Sequence, residues 1–171
     1  MRRLFIFTDG SVCGNGTSRA YGGIGIFFPD GDAPNVSEPF LDYVVTNQRT
    51  ELYAIFFAIG VIIKIIKHFD EIIIYSDSEY SINSLTKWAP KWSRMKWKTS
   101  SGTQVQNLDL IKPIYKILQI YPQIKFVHVR SHTKQKDYLS LCNDTVDHLA
   151  TRGTEISRRL QKLPNLCGKS S

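Results

Sequence analysis

Apolar and polar positions along the chain fall into short strand-like runs and one long helical block. Leu4 to Thr8 is a continuous apolar run that predicts a strand, followed by a turn-rich stretch from Gly10 to Ala20. Tyr21 to Phe28 predicts a second strand, closed by Pro29-Asp30-Gly31, and Phe40 to Thr46 a third. Short loops between them predict an antiparallel meander. Asn47 reads as the N-cap of a helix running to about Lys67. Its portion from Leu52 to Ile66 is strongly apolar but too short for a membrane span, and it carries Lys64. A helix buried on several sides is therefore expected. Glu71 to Ser76 reads as a buried strand, after which Asp77 or Ser78 caps a helix to about Lys87. Trp88 to Gln106 shows no period and reads as irregular. Leu108 to Tyr121 reads as a helix, with Pro113 in its first turns or at a kink. Ile124 to Val129 predicts a fifth strand, Ser131 to Cys142 a polar loop, and Asn143 to Thr151 a helix stopped near Gly153.

This order predicts an α/β fold, a mixed sheet covered by helices. The 171 residues suit one domain. That domain is expected over residues 1–153, with a protrusion at about 88–106 and a basic tail at 154–171. The net charge of +7 favours an anionic partner, nucleic acid ahead of membrane. Cys13, Cys142 and Cys167 are widely spaced and form no CxxC pair. That spacing argues against a disulfide framework and a zinc site and points to a reducing compartment. No secretion signal is visible, so the cytoplasm or nucleus is expected.

Four acids occupy separate contexts. Asp9 and Asp77 each follow an apolar strand, at the end where open α/β sheets bind ligands. Glu51 shares a helix face with Ile55, Ala58 and Ile62. Asp147 adjoins Val146, with Asn143 one turn earlier. Taken singly, such an Asp is a turn or cap residue and such a Glu a partner of the helix dipole. Four carboxylates brought together repel one another, and a divalent cation is the resident that resolves this. A metal-dependent enzyme is the reading this favours. Between Lys87 and Lys98 the chain reads KWAPKWSRMKWK, in which five cations alternate with three tryptophans. Lys91, Arg94, Lys96 and Lys98 are suited to track phosphates, while Trp92 and Trp97 pack the protrusion or stack on sugars.

TDGS at Thr8–Ser11, TNQRTEL at Thr46–Leu52, SDSEY at Ser76–Tyr80 and NDTVDHLA at Asn143–Ala150 together resemble type 1 ribonuclease H, in that family's order. The likeness spans about residues 2–153. It implies the ribonuclease H-like fold, a five-stranded mixed sheet flanked by helices with its first three strands antiparallel. It implies endonucleolytic cleavage of the RNA strand of an RNA–DNA hybrid, leaving 5′-phosphate and 3′-hydroxyl ends. Asp9, Glu51, Asp77 and Asp147 match the family's four metal-binding catalytic acids. Two Mg²⁺ ions are implied, with Mn²⁺ able to substitute. His132 matches the family's mobile loop histidine, and Asn15, Asn47 and Gln48 its groove-contacting amides. Thr46 matches a contact to a DNA phosphate, and the Trp-rich insert matches the basic protrusion that grips DNA. Asn143 and Glu79 complete the implied substrate-binding set.

Three departures stand out. The stretch from His132 to Asp147 is several residues longer than the family spacing, Cys142 replaces a common glycine, and Glu79 stands where many relatives carry Gln. The alternatives are a non-catalytic hybrid-binding module and a junction resolvase or integrase-like nuclease. The first would lose an acid and the second the Trp-rich insert. A free-standing monomer acting without a membrane is expected, rather than a segment of a reverse transcriptase polyprotein.

Overall fold

A computed structural model describes residues 1–131, 134 and 136–162. Five strands form one sheet: β1 (Arg3–Cys13), β2 (Tyr21–Phe27), β3 (Val36–Phe40), β4 (Glu71–Ser76) and β5 (Ile124–His128), in the order β3-β2-β1-β4-β5. The β1–β2 and β2–β3 pairs are antiparallel, and β1–β4 and β4–β5 are parallel. The expected mixed sheet with an antiparallel first half is what the chain forms.

Its helices are α1 (Asn47–Ile63), α2 (Glu79–Asn83), α3 (Ala89–Arg94), α4 (Leu108–Ile120) and α5 (Tyr138–Lys162). A π turn at Ser84–Trp88 joins α2 to α3. On one side of the sheet, Leu4, Ile6, Ile26, Ile72 and Ile74 pack against Leu52, Ile55, Ile59 and Ile62 of α1 and Ile111 and Ile114 of α4. On the other, Phe7 packs with Val129, and with Cys142 and Val146 of α5. Alternation along β1 explains the division, because successive side chains leave opposite faces of a strand. Among the described residues, no helix is long and apolar enough to cross a membrane.

Several expected boundaries differ. β1 continues through Gly10 to Cys13, because antiparallel pairing with β2 (Gly10 opposite Ile24, Ser11 opposite Gly23) overrides the local turn chemistry. The third strand is Val36–Phe40 rather than Phe40–Thr46. It is an edge strand, pairing only with β2, so it tolerates Pro39, which lacks an N–H. Leu41, Tyr43 and Val44, which looked strand-like, are exposed instead. Thr46, not Asn47, caps α1: its hydroxyl accepts the Arg49 N–H at 3.2 Å. The chain from Trp88 to Arg94 is helical rather than irregular. Pro113 sits in the second turn of α4, where it removes the bond to the Asp109 carbonyl.

The last helix begins at Tyr138, inside the expected loop, and runs through Gly153 to Lys162. Gly153 acts by close approach rather than as a stop. A Cβ there would overlap the Glu38 carbonyl of β3. Gly23 and Gly25 of β2 are the other half of this contact, since side chains on them would run into the α5 backbone. Bare backbone on both surfaces lets α5 lie tightly on the sheet, which sets the height of Asp147.

Candidate active site

The parallel register fixes the two strand carboxylates. Thr8 pairs with Ser76, the last residue of β4, so Asp9 and Asp77 are the next residues on neighbouring strands. Asp77 therefore leaves the sheet, whereas Asp9 remains inside β1, paired with Gly25 of β2. The third acid comes from α1. A Cβ on Gly10 would sit about 2.5 Å from Thr50 and the Glu51 backbone, so glycine here lets the first turn of α1 close on β1. Glu51 is thereby delivered beside Asp9. Ligand oxygens of Asp9, Glu51 and Asp77 all lie within 4.8 Å of one another.

Asp147, half-buried on α5, also reaches Asp9, acting on it by charge and hydrogen bonding. Asp9 is 3% exposed, and its carboxyl is raised from 3.8 to about 8. Burial is the main cause, and the charge of Asp77 is next; hydrogen bonding from Glu51 works the other way. Glu51 is pushed well above the usual carboxylate range by burial and then by the charges of Asp9 and Asp77. Its Oε2 is shielded from water and has no hydrogen-bond partner among the described residues. Buried acid oxygens without a counter-charge cost free energy unless protonated or met by a cation. An all-oxygen cluster of this kind is suited to a hard divalent ion.

The amides cluster beside the acids. Asn15 sits in the β1–β2 loop between Gly14 and Gly16, both in the left-handed region at φ 74° and 80°. Its Oδ1 accepts the Asn47 backbone N–H at 3.2 Å, which joins that loop to the start of α1. Thr46 is half-buried, and Asn47 and Gln48 are exposed next to it. Glu79 is exposed in the first turn of α2. Asn143 is buried within α5, one turn before Asp147. His132 lies outside the described residues, as does the tail from 163 to 171.

Lys91, Arg94, Lys96 and Lys98 are exposed along α3 and the turn after it. Trp92 and Trp97 are half-buried and pack on the main core; Trp92 stacks at a tilt on Trp88, and Trp97 meets Tyr115 edge-on at 5.7 Å. Lys96 and Trp97 have left-handed backbones, which turn the chain back so that Lys98 bridges to Gln104.

Two features went unread in the sequence. The buried Arg49, inside the TNQRTEL stretch, donates to both carboxylate oxygens of Asp109 at 2.9 and 2.7 Å and to Asp42 at 2.8 Å. The guanidinium–carboxylate fork holds the Asp109 carboxyl below its ordinary range. His128, at the end of β5, places Nε2 3.2 Å from the Asp77 carbonyl oxygen. Only the pairing of β5 with β4, His128 opposite Ser76, would have located it.

Comparison with known proteins places the whole arrangement. The RNase H family model matches residues 1–155. A probable ribonuclease H of Acanthamoeba polyphaga mimivirus is 41% identical over 154 residues, covering 88% of this chain and 66% of its own. The chain thus spans just under two thirds of that relative's length. A ribonuclease H of Clostridium botulinum is 32% identical over 145 residues, covering 84% of this chain and 92% of its own. Among solved structures, a foamy viral protease–reverse transcriptase in complex with RNA/DNA hybrid superposes with a TM-score of 0.72 at 21% identity, covering 91% of this chain and 20% of that one.

Proposed function

Because the chain belongs to the RNase H family, we propose that it is an endonuclease hydrolysing the RNA strand of RNA–DNA hybrids with a divalent cation. The observation that carries this reading is the convergence of Asp9, Glu51 and Asp77 from three separate elements, with Asp147 beside them. The residues fit a cation by their chemistry: all donors are oxygen, and Glu51 Oε2 is buried with no other partner among the described residues. These acids would hold it, with Mg²⁺ as the resident ion and Mn²⁺ as a substitute. When bound, such ions supply Lewis acidity and charge neutralisation at a phosphodiester.

The rest falls to the chain's own side chains. Asn15, Asn47 and Gln48 form one amide cluster suited to the hydroxyls and base edges of a hybrid's minor groove. Thr46 accepts the Arg49 N–H as the α1 cap, which leaves its O–H to donate to a phosphate of the DNA strand. The exposed cations Lys91, Arg94, Lys96 and Lys98 would follow the phosphates of the DNA strand. His132 is the residue proposed to move a proton. The protein is proposed to act as a monomer in a reducing compartment.

The alternatives lack support. A binding module has no need of three carboxylates held together, and the family match is to RNase H rather than to a resolvase or integrase. The experiment is an end-labelled hybrid, RNA duplex and DNA duplex, each incubated with Mg²⁺ or chelator. Cleavage confined to the RNA of the hybrid and dependent on the cation is expected. Equal cutting of duplex DNA, or cutting in chelator, would refute the reading.

A further inference from the structure

The parallel half of the sheet is apolar on both faces, yet it is fully covered on only one. β4 reads EIIIYS, and its Ile72 and Ile74 are buried against α1 and α4. Ile73, between them, leaves the opposite face. Strand pairing sets Phe5 of β1 on one side of Ile73 and Lys125 of β5 on the other. The next row on this face holds Phe7, Tyr75 and Val127. α5 lies over β1, β2 and β3 here, and Phe7 is buried with it. Phe5 and Ile73 are only half-buried and Val127 is 39% exposed. None of these three joins a hydrophobic core. Apolar residues scattered singly on a surface need no explanation, but these adjoin one another across three strands.

The shape and charge of this strip select its occupant. Parallel strands that are apolar on both faces are ordinarily covered by helices on both. From β1 to β5 the strip is about 10 Å across, two strand spacings, which is the width of one helix. Its border carries one uncompensated charge. Arg3 is neutralised by Glu71 at 2.8 Å, whereas Lys125 is exposed and has no ion pair among the described residues. The net charge of +7 favours an acidic partner in the same sense. We propose that the strip docks an amphipathic helix of a partner protein, with its apolar face on Phe5, Ile73, Tyr75 and Val127 and an acidic residue against Lys125. The strip starts two residues before Asp9 and Asp77 and runs away from them, so the docked helix tethers the chain and leaves the acids to the substrate. Docking does not depend on which reaction those acids carry out.

Two labelled peptides of about 15 residues, long enough to form a helix, test this by fluorescence anisotropy with the full chain. Both carry leucines along one helical face, flanked by glutamates in one peptide and by lysines in the other. The glutamate peptide should bind about tenfold more tightly, and Lys125→Glu should cut that preference about threefold, the effect of one exposed charge pair. Ile73→Thr keeps a β-branched side chain and changes no charge, and Val127→Glu lies on an edge strand, so both should fold. Each should weaken the glutamate peptide about tenfold, as loss of one apolar contact does, while Tm and cleavage of a labelled hybrid stay at wild-type values. Equal binding of the two peptides, or binding that neither variant weakens, overturns the proposal. A large fall in Tm for both variants marks a face already covered within the chain and overturns it as well. Wild-type self-association in sedimentation that Val127→Glu abolishes makes a second copy the occupant, again against the proposal. Binding that appears only after deletion of residues 163–171 makes the chain's own tail the occupant, with the same consequence. A wild-type protein that leaves the hybrid uncut overturns the proposed reaction and leaves the docking result standing.

Discussion

Replacing Asp9 by asparagine should stabilise the metal-free protein while removing its activity. Asparagine keeps the shape and discards the charge. In the folded chain the Asp9 carboxyl is raised from 3.8 to about 8, chiefly by burial and then by Asp77. The folded protein therefore holds a proton that the unfolded chain releases. A raised value of this kind leaves stability intact below about pH 4 and removes it as pH climbs towards 8. At pH 7 the mismatch spans roughly three pKa units, or about 4 kcal/mol at 1.4 kcal/mol per unit. Neighbouring acids share the same titration, so about 2–4 kcal/mol is expected from the single change. For a domain of this size each kcal/mol moves Tm by about 2–4 °C, giving a gain of roughly 4–16 °C at pH 7. Circular dichroism melts in chelator, from about pH 4 to pH 8, measure it. The gap between variant and wild type should be near zero at the acid end and widen upwards. A variant melting at or below the wild type at pH 7, or a gap equally large at pH 4, would refute the argument.

Other outcomes follow from the same geometry. Mg²⁺ at ten times its Kd should raise wild-type stability by about 1.4 kcal/mol, with little effect on Asp9→Asn, as read by melting with and without the ion. Gly23→Ala places a Cβ on the α5 backbone at Gly153 and Thr154, and should cost about 3 kcal/mol in urea unfolding. Changing Lys91, Arg94 and Lys96 together to Ala should make the salt dependence of hybrid binding shallower, by up to about 0.9 in log–log slope per lost phosphate contact. An unchanged slope would detach those cations from the nucleic acid.

What could be read from the sequence was whatever depended on short-range pattern. Asp77 was legible because its apolar lead-in is unbroken and ends with β4, whereas Asp9, expected at a similar strand end, lies inside β1 because that strand pairs on with β2. Glu51 was legible because a helix face can be counted in steps of three and four. Failures came where tertiary contacts override local chemistry. Gly10 to Cys13 look like turn residues until β2 supplies their partners, and Gly153 looks like a helix stop until β3 is laid against it. Phe40 to Thr46 looks like a strand because aromatic and β-branched residues (Phe40, Tyr43, Val44, Val45, Thr46) dominate it, yet the edge position goes to Val36–Phe40 despite its proline. The clamp of Arg49 by Asp42 and Asp109 joins residues up to 60 apart in sequence, and no periodicity carries that information.

The account stands on one physical event, capture of a divalent cation by Asp9, Glu51 and Asp77. Anomalous diffraction at the manganese edge, from crystals grown with Mn²⁺ and an uncleavable hybrid, observes it directly. The account predicts manganese bonded to oxygens of these three acids with a backbone phosphate of the RNA strand against it. Manganese bound elsewhere, with the three carboxylates in contact only with one another and with water, would contradict it.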